Sequence, residues 1–112
     1  MTDHLDAEVL REIRELMGDD FELLLEAYQS DADASMAAIQ SAVAAADAPT
    51  LRHYTHSLKG SCSNIGAVSL ANLCARLEQR AKADDLTEIE SLIDCVIGEF
   101  DAVARDVDAL RP

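Results

Sequence analysis

Leu51-Arg52-His53-Tyr54-Thr55-His56-Ser57-Leu58-Lys59-Gly60-Ser61-Cys62-Ser63-Asn64-Ile65 has the clearest helical period in the chain. Leu51, Thr55, Leu58, Cys62 and Ile65 recur at alternating spacings of four and three residues. That period places them on one side of an α-helix, with the polar residues on the other. A stripe of this kind must be covered by another apolar surface, and the chain on both sides supplies candidates.

Before it, residues 21–46 predict a long helix with Phe21, Leu24, Leu25, Tyr28, Ala32, Met36, Ile39 and Val43 inward. Asp19 or Asp20 is placed to cap it, and Asp47-Ala48-Pro49 breaks it. After it, Gly66 punctuates the chain, and residues 67–83 predict a helix with Leu70, Leu73, Cys74, Leu77 and Ala81 inward. Asp84-Asp85 makes a turn into residues 87–110, whose seam is Ile89, Leu92, Ile93, Val96, Phe100, Val103, Val107 and Leu110. Gly98 inside that helix costs about 1 kcal/mol relative to Ala; it would allow close packing there, which the sequence does not prove. A shorter helix over residues 6–17, capped by Asp6 and stopped by Gly18, carries Val9, Leu10, Ile13 and Leu16. Period-2 alternation is absent. The expectation is an all-α chain: an antiparallel four-helix bundle with a short additional N-terminal helix, forming one domain over residues 1–112.

Composition narrows the function classes. Aromatic residues make up 4% of the 112 residues and Trp is absent, so base stacking is a poor prospect. Nine Lys and Arg face 22 Asp and Glu, a net charge of −13. A field of that sign repels nucleic acid and anionic membranes. Met1-Thr2-Asp3-His4 does not begin a basic-then-apolar leader, and no apolar run approaches the ~18 residues of a membrane span. Cys62, Cys74 and Cys95 are an odd count without a CxxC pair. They fit reduced thiols in a cytoplasm, each on the apolar face of a predicted helix. A cytoplasmic monomer is expected.

The charge is not uniform. Between residues 51 and 82 the basic residues are Arg52, Lys59, Arg76, Arg80 and Lys82, the only acidic one is Glu78, and the net charge is +4, against −17 for the remainder. The chemistry falls in the same segment. Arg52, His56, Lys59, Gly60 and Ser63 share the face opposite the Leu51–Ile65 stripe, with His53 at its border. A glycine inside a helix is unfavourable, and on the polar face Gly60 cannot be filling a core. It clears space one turn beyond an imidazole, with Lys59 supplying positive charge. Nucleophile, cation and clearance on a rigid helix suit phosphoryl transfer, which depends on positioning and charge neutralisation.

His56-Ser57-Leu58-Lys59-Gly60-Ser61, followed by Asn64-Ile65-Gly66-Ala67 and by Leu70, Leu73, Cys74, Leu77 and Glu78, resembles the signature of histidine phosphotransfer (HPt) domains. As a short chain it is similar to the stand-alone bacterial type. The resemblance implies a phosphorelay intermediate. His56 would take a phosphoryl group from the receiver domain of a hybrid sensor kinase and pass it to the receiver of a response regulator. Lys59 would steady the phosphoryl oxygens, Gly60 would keep the site open, and Ser61 and Ser63 would border it. Glu78 stands where many relatives carry Gln. A carboxylate there would accept from Nδ1–H and fix the tautomer that leaves the Nε2 lone pair free; the alternative is a solvated Glu paired with Lys82. Partner choice would lie in a rim of Arg52, His53, Ser57, Asn64, Arg76, Gln79, Arg80 and Lys82. No cofactor is expected on this chain, Mg²⁺ belonging to the receiver's acidic pocket. With neither GxxxxGK[ST] nor GxGxxG present, no autokinase activity is expected.

Two other classes compete. His53 and His56, three residues apart, could begin a metal site, but no Glu-x-x-His pair on a facing helix accompanies them. A non-catalytic helical module that docks receiver or kinase domains would need the polar face but not His56.

Overall fold

The computed structural model describes residues 4–111. Met1–Asp3, the beginning of the segment read as lacking a leader, lie outside them. The described residues form α1 (Ala7–Met17), α2 (Phe21–Ala44), α3 (Ala48–Asn64), α4 (Val68–Lys82) and α5 (Glu90–Leu110), with a 3₁₀ turn at Gly18–Asp20 and no strand. The helices run back and forth along the chain. α3 packs between α2 and α4, and α5 closes the bundle against α4 and α2. This is the expected architecture, and no described helix is long and apolar enough to cross a membrane.

The stripes meet in one core. Leu25 and Ile39 of α2, Leu51, Leu58 and Cys62 of α3, Leu70, Cys74 and Leu77 of α4, and Val96 and Val103 of α5 are all fully buried. Each large aliphatic side chain contributes about 1.5–3 kcal/mol through burial, so the bundle needs no staple. α1 is a cover. Of its stripe only Leu10 is buried, and Leu16, expected inward, is 85% exposed. Ile13 and Met17 face the core instead. Leu16 precedes Met17 by one residue and so points about 100° away.

The caps explain the boundaries. The Asp6 carboxylate accepts from the Glu8 and Val9 amides at 2.9 and 3.2 Å. Asp47 accepts from the Thr50 amide at 3.2 Å, and Pro49 sits in the first turn of α3 where it sacrifices no hydrogen bond. Neither Asp19 nor Asp20 caps α2 as expected. Asp20 is itself helical and makes no side-chain cap bond, because the 3₁₀ turn runs directly into the helix. α2 ends at Ala44 because Ala46 takes a left-handed φ of 52°. α5 starts at Glu90 rather than near residue 87, since Glu88 has φ 50° and interrupts helical geometry.

Two further expectations are corrected on α5. Cys95 is exposed, one residue off the seam at Val96. Gly98 is not a close-packing site, since a Cβ built there meets nothing within 4 Å. Gly66 is the glycine with a packing role. Its φ is +76°, a Cβ would lie 3.0 Å from Val9, and its carbonyl accepts from the Asp6 amide at 2.8 Å. With buried Leu5 and the His4–Glu99 contact at 2.7 Å, this docks the N-terminal segment onto the bundle.

Candidate functional site

The outer face of α3 and the adjoining edge of α4 enclose a cleft of about 480 Å³ lined by Pro49, Arg52, His53, His56, Ser57, Glu78 and Lys82. Thr55 and Leu58 pin α3 to the core. The helical period therefore turns His56 outward, and its side chain is 69% exposed. Glu78 comes from the opposite situation. It follows Cys74 and Leu77 on the packed side of α4, and its side chain is only 6% exposed.

The two helices bring three side chains together. His56 Nδ1 lies 2.9 Å from Glu78 Oε2, and Lys59 Nζ donates to Glu78 Oε1 at 2.5 Å. Burial pushes the Glu78 carboxyl up. The hydrogen bonds and positive charge of Lys59 and His56 outweigh burial and hold it below the ordinary carboxylate value. Glu78 is thus a carboxylate, which only accepts, so His56 Nδ1 must donate. The neutral ring then keeps its proton on Nδ1 and an unshared lone pair on Nε2. Glu78 takes His56 and Lys59 as partners rather than Lys82.

Gly60 sits one turn beyond His56, exposed, with open space where a Cβ would be. Ser63 is on the same face, its hydroxyl donating to the Lys59 carbonyl at 3.0 Å. The ring of His53 meets Tyr54 edge-on with centroids 4.8 Å apart. Beneath the site the thiols of Cys62 and Cys74 are buried, and the Tyr28 hydroxyl is 4.0 Å from Cys62 Sγ. They pack as the small buried groups expected of them.

The rim read from sequence divides into separate surfaces. Arg52, His53, Ser57 and Lys82 do line the His56 cleft. Ser61 and Asn64 do not. They lie with Leu24, Tyr28 and Asp31 in a groove between α2 and α3. Ser61 follows His56 by five residues, which is about 140° around the helix. Arg76, Gln79 and Arg80 border a third groove between α4 and α5. Arg80 is occupied there, donating from Nε to the Asp85 carbonyl at 2.9 Å and from Nη2 to the Thr87 carbonyl. The positive segment is therefore split too. Lys59 is matched by Glu78, leaving Arg52 and Lys82 as the cations that line the cleft. Pro49 was not singled out as a site residue. The signal was its spacing, since it precedes His56 by seven residues, two turns on the same face.

The arrangement presents an exposed imidazole with a defined tautomer, two cations lining the same cleft and open space at Gly60. The family model described as Hpt domain matches residues 23–111. The crystal structure of histidine-containing phosphotransfer protein B (HptB) from Pseudomonas aeruginosa PAO1 is similar to this chain, with a TM-score of 0.94 and 36% sequence identity over 99% of this chain and 96% of that one. No curated protein sequence matches.

Proposed function

The chain belongs to the Hpt domain family, and we propose that it works as a histidine phosphotransfer protein through His56 Nε2. It is a histidine phosphotransfer protein of a phosphorelay by family and by fold; the residue roles and partners are what the proposal adds. The observation that carries it is the His56 Nδ1–Glu78 contact at 2.9 Å on an otherwise exposed ring. It leaves Nε2 as the nucleophile for phosphorus. A receiver's aspartyl phosphate is the donor, a second receiver is the acceptor, and Mg²⁺ resides in the receiver's acidic pocket. Arg52 and Lys82 face the incoming phosphoryl oxygens, and Gly60 admits the receiver's surface. The remaining acidic surface disfavours docking elsewhere.

The test is phosphotransfer profiling. Phosphorylated protein is presented to each receiver domain of its source organism, and the loss of label is timed. His56→Gln should abolish labelling while helicity survives. Labelling retained in His56→Gln refutes the assignment, and signalling that survives without His56 favours the docking-only alternative. Incubation with ATP alone should leave His56 unlabelled. Transfer rates should fall as salt rises if Arg52 and Lys82 steer the encounter.

A further inference from the structure

We propose that Cys62 and Cys74 form a redox-sensitive dithiol, which a hydroperoxide converts into a disulfide that staples α3 to α4 and slows phosphoryl loading of His56. The slowing rests on His56 being the phosphoryl carrier; the disulfide does not. Helix register puts the two sulfurs together. α3 and α4 lie on either side of Gly66 and share the most extensive helix–helix contact of the bundle. Lys59 of α3 meets Glu78 of α4. Cys62 follows Lys59 by one turn and Cys74 precedes Glu78 by one turn, so the cysteines are level with each other, one turn nearer the connecting loop. Both are fully buried, and their thiols are hydrogen-bonded to one another. Cys95, exposed on α5, belongs to another surface.

The pair is chemically unequal. The hydrogen bond with Cys74 holds the Cys62 thiol below its ordinary value against the effect of burial, and the Tyr28 hydroxyl 4.0 Å away adds to it. The same hydrogen bond, with burial, pushes the Cys74 thiol up. Cys62 is therefore the attacking sulfur and Cys74 the resolving one. The Cys62 thiolate attacks one peroxide oxygen and the O–O bond breaks. The second oxygen leaves as hydroxide and takes up the proton that Cys62 released, leaving Cys62 as a sulfenic acid. Cys74 then attacks the Cys62 sulfur, the S–O bond breaks, and the departing hydroxide takes the Cys74 proton. The two thiols lose two electrons and hydrogen peroxide gains them as two waters. Hydrogen peroxide is the member of its class small enough to enter as the hairpin opens locally.

Helices about 9 Å apart, with Cα atoms at a radius of about 2.3 Å, bring facing Cα atoms within the span of about 4.4–6.8 Å that a disulfide needs. Bonding still draws the sulfurs from contact to about 2.0 Å. That moves α3 against α4 one turn from Lys59 and Glu78, whose charges both reach Cys74. Loading depends on placement at the scale of an ångström, so the shift slows it.

The experiment uses the full chain, wild type and Cys95→Ser, reduced and then exposed to hydrogen peroxide. After unfolding in N-ethylmaleimide, peptide mass spectrometry should find Cys62 and Cys74 joined with two hydrogens lost, and dithiothreitol should restore both thiols. Alkylation of both, or a sulfinic acid on either in place of the bond, overturns the proposal. His56 is then loaded with phosphoramidate and followed by ³¹P NMR. Oxidised Cys95→Ser should load about tenfold more slowly than the reduced protein and recover on reduction. Cys62→Ala in that background should load equally with or without peroxide. A joined pair with an unchanged loading rate overturns the switch. No label on His56 in the reduced protein overturns the carrier assignment and the slowing with it, while the mapped disulfide stands.

Discussion

Lys59 and Glu78, nineteen residues apart in sequence and on different helices, meet at 2.5 Å at the edge of the α3–α4 interface, the carboxylate nearly buried and the ammonium one-third exposed. The pair is asymmetric. Lys59 can reach water without Glu78, whereas Glu78 without Lys59 is a buried charge short of its cation. Lys59→Met should therefore destabilise the bundle by about 1–3 kcal/mol. Adding Glu78→Met should recover part of that loss, so the two changes should be non-additive. Urea unfolding of the two single variants and the double variant measures the coupling; strict additivity would count against the pairing.

Acid should weaken the fold through the same carboxylate. The folded Glu78 carboxyl lies below its ordinary value of 4.5. Its contribution to stability is therefore complete above that value and is lost as pH falls through the lower folded one. Urea midpoints measured downward from about pH 6 should decline in this window, less steeply for Glu78→Gln, in which the group cannot titrate.

Gly60 and Gly98 form a matched pair. Each is exposed within a helix, and each has open space where a Cβ would stand. Alanine at either position should raise stability by about 0.5–1 kcal/mol. Only Gly60→Ala should slow transfer to a receiver, because only Gly60 lies beside His56. Melting temperatures and transfer rates for both variants separate the intrinsic helix effect from the steric one.

Gly66→Ala should behave in the opposite way. A left-handed φ of +76° is strained for alanine, and the new Cβ would lie 3.0 Å from Val9. A loss of about 1–2 kcal/mol is expected, with faster amide exchange in α1 as its docking loosens. Unchanged exchange in α1 would show that Gly66 does not hold the cover.

Thr55 is fully buried and its hydroxyl has no hydrogen-bond partner. Thr55→Val keeps the shape and removes the orphaned group, so stability should rise by about 1 kcal/mol. Thermal unfolding tests this, and a clear loss would mean that the hydroxyl finds a partner in solution.

Much of this was legible from periodicity. A four-three repeat depends only on helical geometry, so Leu51, Thr55, Leu58, Cys62 and Ile65 could be placed on the core side before any fold was known, and His56 and Gly60 on the other. Periodicity also joined His56 and Lys59, because neighbours on one helix need no tertiary information. It failed where a backbone conformation broke the pattern. Glu88 at positive φ displaces the start of α5, and the turn at Gly18–Asp20 replaces the expected aspartate cap. Helix packing decided the rest. Ser61, Asn64, Gln79 and Arg80 sit close to His56 or Glu78 in sequence, but rotation about each axis sends them to other grooves. Sequence alone was enough to place most of the core stripes of α2 to α5, Cys95 excepted, and to pick out the histidine in a phosphotransfer-like motif, because both are properties of single helices. That Glu78 is buried and ionised against His56 and Lys59, rather than solvated beside Lys82, follows from the packing of the helices. That choice depends on how closely α3 and α4 approach, and on a desolvation cost that only the packed interface imposes.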